Sequence, residues 1–332
     1  MLEVPPGPRH PRTPMATFVR RHPLVSFVAL AYLSSWLIWS PWWLSASGLD
    51  VLPWQPTLSQ VAGINQLGMF AGPFAAALLV TWAAEGRSAV GRLLGRLLQW
   101  RAHPGWYLVA LAAIPVATAV GYFLTPADGL QAPGGTAATL TLLASSFVVY
   151  LMGGPLQEEI GWRGVALPRL QSRLAPLPSA LVLGVIHCLW HAPLFLTTEW
   201  DTARHEPSQL LAYLLLVVSL SVVLCWVHDG SGGSLLLAVL GHNALNWALL
   251  VAGTLTGREV ESTWPAALGL GVLALFVALG THGRLGHTER TRSTSSTERR
   301  GGATARLSPR RGAPAAPTGR TPPRRRTRTR RP

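Results

Sequence analysis

The 332-residue chain is 49% apolar, contains 14 Trp and has only 13% charged residues, about half the charged share of an average soluble protein. Every one of its 28 basic residues is Arg, and 15 of these lie between Thr281 and Pro332, against two acidic residues there. The rest of the chain is therefore close to neutral. Its two cysteines, Cys188 and Cys225, lie in apolar runs, which excludes a disulfide framework and predicts buried free thiols.

Eight apolar stretches are candidates for helices that span a bilayer, which takes about 20 residues. In chain order they are Leu24–Trp43, Val61–Ala84, Trp106–Leu124, Ala137–Gly154, Pro178–Thr197, Leu210–His228, Leu235–Gly253 and Pro265–Gly280. The first is too long for the apolar core of a signal peptide, and no clean cleavage site follows it. The sequence thus predicts an all-α polytopic membrane protein with eight transmembrane helices in residues 23–280.

The arginines predict the orientation of these helices, because cytoplasmic loops carry an excess of basic residues. Arg lies before span one, between spans two and three, between spans four and five, and after span eight. The loops around Asp50 and Asp128 have none, and the loop at 199–206 is mainly acidic. Only the turn at Asp229, which is expected on the cytoplasmic side, lacks the excess of arginine. We therefore expect both termini, including an N-terminal segment of residues 1–22, in the cytoplasm.

The segment 281–332 is rich in Arg, Pro, Ser, Thr and Gly and is predicted to be a disordered cytoplasmic tail. Each Arg near an anionic lipid surface contributes about 1 kcal/mol of attraction, so the tail could contact the membrane. It has no interleaved aromatic residues, so we do not expect it to bind nucleic acid.

The first polar cluster, Gln157 to Gly164, follows the fourth apolar stretch. On a helix, Glu159 and Arg163 are four residues apart and share a face, with the acidic residue in the favourable N-terminal position. Glu158 points about 100° away from Glu159, so it is free to face a cavity. Burial there would raise the pKa of its carboxyl group towards the range useful to a general base. A solvated acidic helix end is the alternative.

Two further clusters lie inside predicted spans. His187 and His191 share one helix face, as do His242 and Asn246 four residues apart. An imidazole and an amide aimed at one point can bind a water, a metal or a developing oxyanion. Packed or interhelical hydrogen-bonding side chains are the alternative. Counted at 1.5 Å per residue, His191 and His242 lie near mid-membrane, so span four must continue past Gly154 for Glu158 to meet them.

Together these residues predict a hydrolytic site, since ionisable groups at this depth are costly unless they pair, line a cavity or perform chemistry. The chain has no HExxH, Gly-x-Ser-x-Gly or phosphate-loop motif, which excludes those enzyme classes as such. A proton or metal transporter could use the same groups, although the two halves show no sequence repeat. A non-catalytic membrane partner, such as an immunity factor, is the third hypothesis.

The order Glu-Glu-x-x-x-Arg, a following helix ending in His, and His-x-x-x-Asn resembles the CPBP (Abi) family of CAAX prenyl proteases and bacteriocin-processing endopeptidases. The flanking runs Gly161–Gly164 and Trp190–Phe195 are similar to that family too, and the resemblance covers 154–249. It implies eight helices around a conical cavity open to the cytoplasm, and cleavage of a peptide bond near the membrane surface. The substrate could be a prenylated protein, a bacteriocin-like precursor or another membrane protein.

The resemblance also implies the roles of the site residues. Glu158 and His191 would activate the attacking water, His242 and Asn246 would stabilise the oxyanion, and Glu159 with Arg163 would support the site. The resemblance leaves a metal-free glutamate mechanism and a zinc-dependent mechanism open, since Glu158, His191 and His242 could bind zinc as a His₂Glu set. His187 departs from the family pattern, which usually has an aromatic residue there, and could add a ligand or simply pack. The Arg-only, Ala/Gly/Pro-rich composition suggests a GC-rich bacterial genome, so we expect the protein in a bacterial cytoplasmic membrane.

Overall fold

A computed structural model of the protein describes residues 14–123, 135–198, 206–256 and 262–287. These residues belong to one compact unit, Met1–Thr288. The loops that carry Asp128, Glu199 and Arg258, and the predicted tail from Thr288 onwards, lie outside the described residues. Expectations about them stay predictions.

Within the described ranges the secondary structure is entirely helical, which confirms an all-α polytopic membrane protein. The helices are α1 Pro14–Arg21, α2 Pro23–Trp43, α3 Leu58–Met69, α4 Ala75–Glu85, α5 Arg87–Gly95, α6 Pro104–Leu108, α7 Ile114–Phe123, α8 Thr136–Met152, α9 Pro155–Gly161, α10 Leu167–Gln171, α11 Pro176–Trp190, α12 Pro207–Gly230, α13 Leu235–Thr256 and α14 Trp264–Gly280.

Six helical stretches of the described chain are long and apolar enough to cross a membrane. They are Pro23–Trp43, Leu58–Glu85, Pro104–Tyr122, Thr136–Gln171, Pro207–Gly230 and Leu235–Ala252. The predicted fifth and eighth spans correspond to shorter apolar helices, α11 and α14. The total of eight spans therefore stays a prediction.

Wide π-helical turns interrupt three of these stretches, at Phe70–Phe74, Val109–Ala113 and Trp162–Ala166. Each contains a proline or lies within two residues of one, namely Pro73, Pro115 or Pro168. Proline has no N–H to donate and its ring clashes with the preceding turn, so the regular hydrogen-bond ladder cannot pass through it. In a membrane the freed groups are satisfied by such local widening and by neighbouring helices.

The break between α8 and α9 brings the acidic residues into the core. Gly154 has φ +156°, a conformation that favours glycine, and the following Pro155 starts α9. Gln157 bridges the break: it accepts a hydrogen bond from Gly154 N at 3.1 Å and donates one to Met152 O at 2.6 Å. The chain therefore continues past Gly154, as the predicted depth of the histidines requires, and Glu158 and Glu159 are buried.

Residues Thr281–His287 differ from the predicted tail, because they form turns packed on the helices. The Leu285 side chain is completely buried, and Gly283 O accepts a hydrogen bond from Leu177 N at 3.2 Å. His287 lies 3.4 Å from a carboxylate oxygen of Asp229. Burial of Leu285 contributes to the ordering of these residues, and the tail boundary at Thr281 stays a prediction.

Asp229, the residue at the turn without arginine bias, belongs to a buried polar network. Its carboxylate accepts a hydrogen bond from Gln171 at 2.6 Å and pairs with His228 Nδ1 at 2.8 Å. Arg96 contacts the other nitrogen of the His228 ring and donates to Gly233 O at 2.9 Å. Burial lowers the pKa of the Arg96 guanidinium, and the nearby Asp229 carboxylate partly offsets this. The counter-charge at this turn is thus supplied by the loop after span two.

Candidate active site

Glu159, Arg163 and His242 form a buried polar group between α9 and α13. Arg163 Nη1 donates to Glu159 Oε1 at 2.8 Å, and both side chains have no exposed surface. The same oxygen lies 2.8 Å from His242 Nδ1. The helical spacing thus predicted the Glu159–Arg163 contact correctly. The contact to His242 is one that only the packing of α13 against α9 creates.

Glu158 points to a different neighbour, as expected for adjacent residues on a helix. Its Oε2 atom lies 2.7 Å from His187 Nε2, a short hydrogen bond between two buried side chains. One helical turn later, His191 Nδ1 lies 3.2 Å from the carbonyl oxygen of His187. His187 therefore contacts both groups that the sequence assigns to water activation, one through its side chain and one through its backbone.

The three histidines lie close together in an aromatic surround. The His187 ring centroid is 5.2 Å from that of His191 and 5.8 Å from that of His242. Trp162 lies 5.0 Å from His187, and Trp190 lies 4.6 Å from His191. This packing restricts the orientation of the rings. Side chains from α9, α11 and α13 thus meet in one buried cluster, as the sequence predicts.

Asn246 is half-buried and lies on α13 one turn after His242. Its side chain makes no hydrogen bond to any residue that the structure describes, so its predicted role toward an oxyanion stays a prediction. The alternative expected for this part of α13 was hydrogen bonding between helices, and the residues next to Asn246 and His242 make such bonds. Asn243 donates to Phe147 O at 3.0 Å and Trp247 donates to Leu143 O at 2.8 Å, which ties α13 to α8.

The group that could hold a metal ion differs from the predicted one. Ligand atoms of Glu158, His187 and His191 all lie within 4.8 Å of one another. His242 belongs to no comparably tight group within the described ranges, because its Nδ1 atom faces Glu159. The uncertain residue of the prediction, His187, thus takes the place that was assigned to His242.

The donor types of this group suit zinc, but two contacts do not. Two ligands of a tetrahedral zinc, each at about 2.0–2.1 Å, lie roughly 3.3 Å apart, whereas the Glu158 and His187 atoms are 2.7 Å apart. Zinc-bound imidazoles also donate their second N–H to an acceptor, and the buried Nδ1 atom of His187 has no hydrogen-bond partner in the part of the chain that the structure describes. The present arrangement is that of a hydrogen-bonded pair, so we derive no catalytic step through a metal.

The sequence analysis assigned no role to Gln157 and left the role of His187 open between a ligand and a packed side chain. Gln157 stands beside the acidic pair and shapes the break before it, while His187 bonds directly to Glu158. The available signal for His187 was its spacing of four from His191, which places both imidazoles on one face. No comparable signal marked Gln157, since the break it bridges arises from the Gly154 backbone.

Comparison with known proteins places all of these residues in one matched segment. Residues 139–248 match the family described as type II CAAX prenyl endopeptidase, Rce1-like. A CAAX prenyl protease 2 of Methanococcus maripaludis is 27% identical over 110 residues. That alignment covers 32% of this chain and 37% of the relative, so the chain matches little more than a third of the relative's length.

Proposed function

Because residues 139–248 match the family described as type II CAAX prenyl endopeptidase, Rce1-like, we propose that this membrane protein hydrolyses peptide bonds at the buried cluster. The observation that carries the proposal is the pairing pattern of the two adjacent carboxylates. Glu159 is neutralised by Arg163, whereas Glu158 forms its hydrogen bond, among the described residues, with the imidazole of His187. One carboxylate is thus held as a structural ion and the other is available to exchange a proton.

In the proposed reaction Glu158 accepts a proton from a water molecule, which His191 helps to hold. The water oxygen forms a bond to the scissile carbonyl carbon, and the carbonyl oxygen becomes the oxyanion of a tetrahedral intermediate. As the carbon–nitrogen bond breaks, Glu158 returns the proton to the leaving nitrogen. General acid–base catalysis of this kind contributes about 10²–10⁴-fold in rate.

His242 and Asn246 are proposed to face the oxyanion. Asn246 can donate through its amide without any change of protonation. His242 directs Nδ1 at Glu159, so Nε2 must also carry a proton if it is to donate, and the ring is then an imidazolium. The adjacent Glu159 carboxylate stabilises that charge, which gives the Glu159–Arg163 pair a function in orienting His242.

The proposed substrate is a peptide that reaches the site from the membrane. A prenylated CAAX peptide is the first choice, because the matched family and the named relative are CAAX prenyl endopeptidases. A bacteriocin-like precursor or another membrane protein would present the same scissile group. We further propose a bacterial cytoplasmic membrane as the location, with both termini cytoplasmic, on the basis of the arginine distribution and composition.

The test uses purified full-length protein in proteoliposomes with a farnesylated CAAX peptide that carries a fluorophore and quencher. Glu158→Gln keeps the size of the side chain but cannot accept the proton, so we expect a loss of at least about 10²-fold in kcat. Glu85→Gln removes a half-exposed carboxylate that pairs with Arg169 and is the matched control. A parallel proteomic comparison of membranes with wild-type and Glu158→Gln protein identifies substrates outside the CAAX class. Equal product patterns in both experiments would refute the proteolytic assignment.

A further inference from the structure

We infer that His187 is a positioning residue for Glu158: it donates Nε2–H to Oε2 and thereby leaves Oε1 as the oxygen that takes the proton from water. The inference rests on the proposed function for its effect on rate. It concerns a residue that departs from the aromatic side chain typical of this position, and it gives that departure a chemical role.

The direction of the hydrogen bond follows from the proton inventory. A neutral imidazole carries one N–H. A proton on Nδ1 would leave two acceptors, Nε2 and an ionised Glu158 oxygen, facing each other at 2.7 Å. It would also bury an N–H without a partner, since Nδ1 is enclosed and unbonded, at a cost of about 1–3 kcal/mol. With Glu158 ionised, as a general base must be, the proton therefore lies on Nε2.

The His187 ring is held where this bond needs it. The side chain is 2% exposed, and its ring lies at 32° to the Trp162 ring with centroids 5.0 Å apart. Trp190, on the same helix, lies 6.1 Å from it. A donor fixed by packing on two sides loses little conformational entropy when it bonds Glu158, so it can hold the carboxylate in one rotamer.

The other carboxylate oxygen lies beside Gly154. A Cβ atom built on Gly154 would lie 3.1 Å from Glu158 Oε1 and 3.4 Å from the Met69 sulfur, so a side chain at residue 154 would crowd this oxygen. One oxygen is thus tied down by His187 and the other lies beside a glycine. The two oxygens of Glu158 are thereby made unequal, which is what a base with one reacting atom requires.

The backbone contact to His191 provides an internal check. The carbonyl of residue 187 lies 3.2 Å from His191 Nδ1, and a side-chain substitution leaves this carbonyl in place. A change at residue 187 therefore removes the bond to Glu158 while the contact to His191 is retained. Because the His187 ring also packs on Trp162 and His191, a loss of rate is assigned to the bond with Glu158 by comparing a variant that keeps a donor with one that does not.

The experiment compares His187→Phe, which fills the space of the ring without a donor, with His187→Gln, whose amide can donate from a similar position. Cys188→Ala alters packing on the next residue of α11 and is the control. All are assayed in proteoliposomes on the quenched farnesylated CAAX peptide, and bound zinc is quantified by elemental analysis. We expect His187→Phe to lower kcat about 10²-fold, the effect of a misplaced catalytic group, with KM within about twofold. His187→Gln should recover much of the loss.

Three outcomes overturn the inference. If His187→Phe retains the wild-type kcat, the hydrogen bond does not position the base. If wild-type protein holds one zinc per chain and His187→Phe loses zinc and activity together, His187 is a metal ligand instead. If wild type and Glu158→Gln are equally inactive on every substrate tested, the proposed function itself fails. An active wild type with an unaffected His187→Phe variant leaves the proposed function standing.

Discussion

Replacing Glu159 with Gln should destabilise the fold far more than replacing a surface carboxylate. The substitution keeps the size of the side chain and one acceptor oxygen, but it removes the charge and replaces the other oxygen with an NH₂ donor. Arg163 is then left as an unpaired cation with no exposed surface. The Nε and Nη2 atoms of Arg163 have no hydrogen-bond partner among the described residues, so the Glu159 carboxylate is the counter-charge that the structure shows for this guanidinium.

The size of the effect follows from burial. Breaking a buried ion pair by removing one partner costs about 3–5 kcal/mol, because the other charge stays uncompensated. The chain offers a matched control in the pair of Glu85 with Arg169, whose oxygen and nitrogen are 2.6 Å apart but whose side chains are 50% and 17% exposed. An exposed pair contributes about 0–1 kcal/mol, so Glu85→Gln should change stability little.

The assay is reversible chemical unfolding of each variant in mixed detergent micelles, followed by tryptophan fluorescence. The double variant Glu159→Gln/Arg163→Met removes both charges and should recover much of the stability lost by Glu159→Gln alone. Equal free energies of unfolding for Glu159→Gln and Glu85→Gln would refute the reasoning, because they would mean that Arg163 is solvated or otherwise compensated.

Two further changes test the break before the acidic pair and the packed segment after α14. Gly154→Ala adds a methyl group 3.1 Å from Glu158 Oε1 at a φ of +156°. It should lower kcat, and it should lower the free energy of unfolding by about 1–3 kcal/mol. The control Gly91→Ala, whose added methyl group meets no neighbour within 4 Å, should be near neutral in both assays. Leu285→Ala empties a fully buried position and should lower the free energy of unfolding by about 2–5 kcal/mol. The same change at Leu98, which is 79% exposed, should leave the free energy of unfolding nearly unchanged. Equal effects of the two changes would show that the segment around Leu285 is not packed on the helices.

Much of the architecture was predictable because the bilayer constrains it. A spanning segment must satisfy its backbone internally, so apolar length identifies a helix with little ambiguity. The same holds for contacts within one helix. The spacing of Glu159 and Arg163 fixes their shared face at 3.6 residues per turn, and the structure shows the predicted pair. Span eight, predicted as Pro265–Gly280, agrees with α14 to within one residue. Span five was predicted to run to Thr197, whereas α11 ends at Trp190, three residues before Pro193 inside the same apolar run.

The partners of Glu158 and of His242 were decided by tertiary structure alone. His187 and His191 are equivalent by spacing, and only the way α9 crosses α11 selects His187 for Glu158. Likewise, the position of α13 directs His242 towards Glu159, so His242 does not join the group of possible metal ligands in which the sequence placed it. Leu285 shows the same limit, since a lone apolar residue in an Arg-rich segment carries no periodic signal. Contacts within one helix can be predicted from residue spacing, because the helix geometry is local. The distance between side chains on different helices depends on crossing angles and kinks, which arise only when the whole bundle packs.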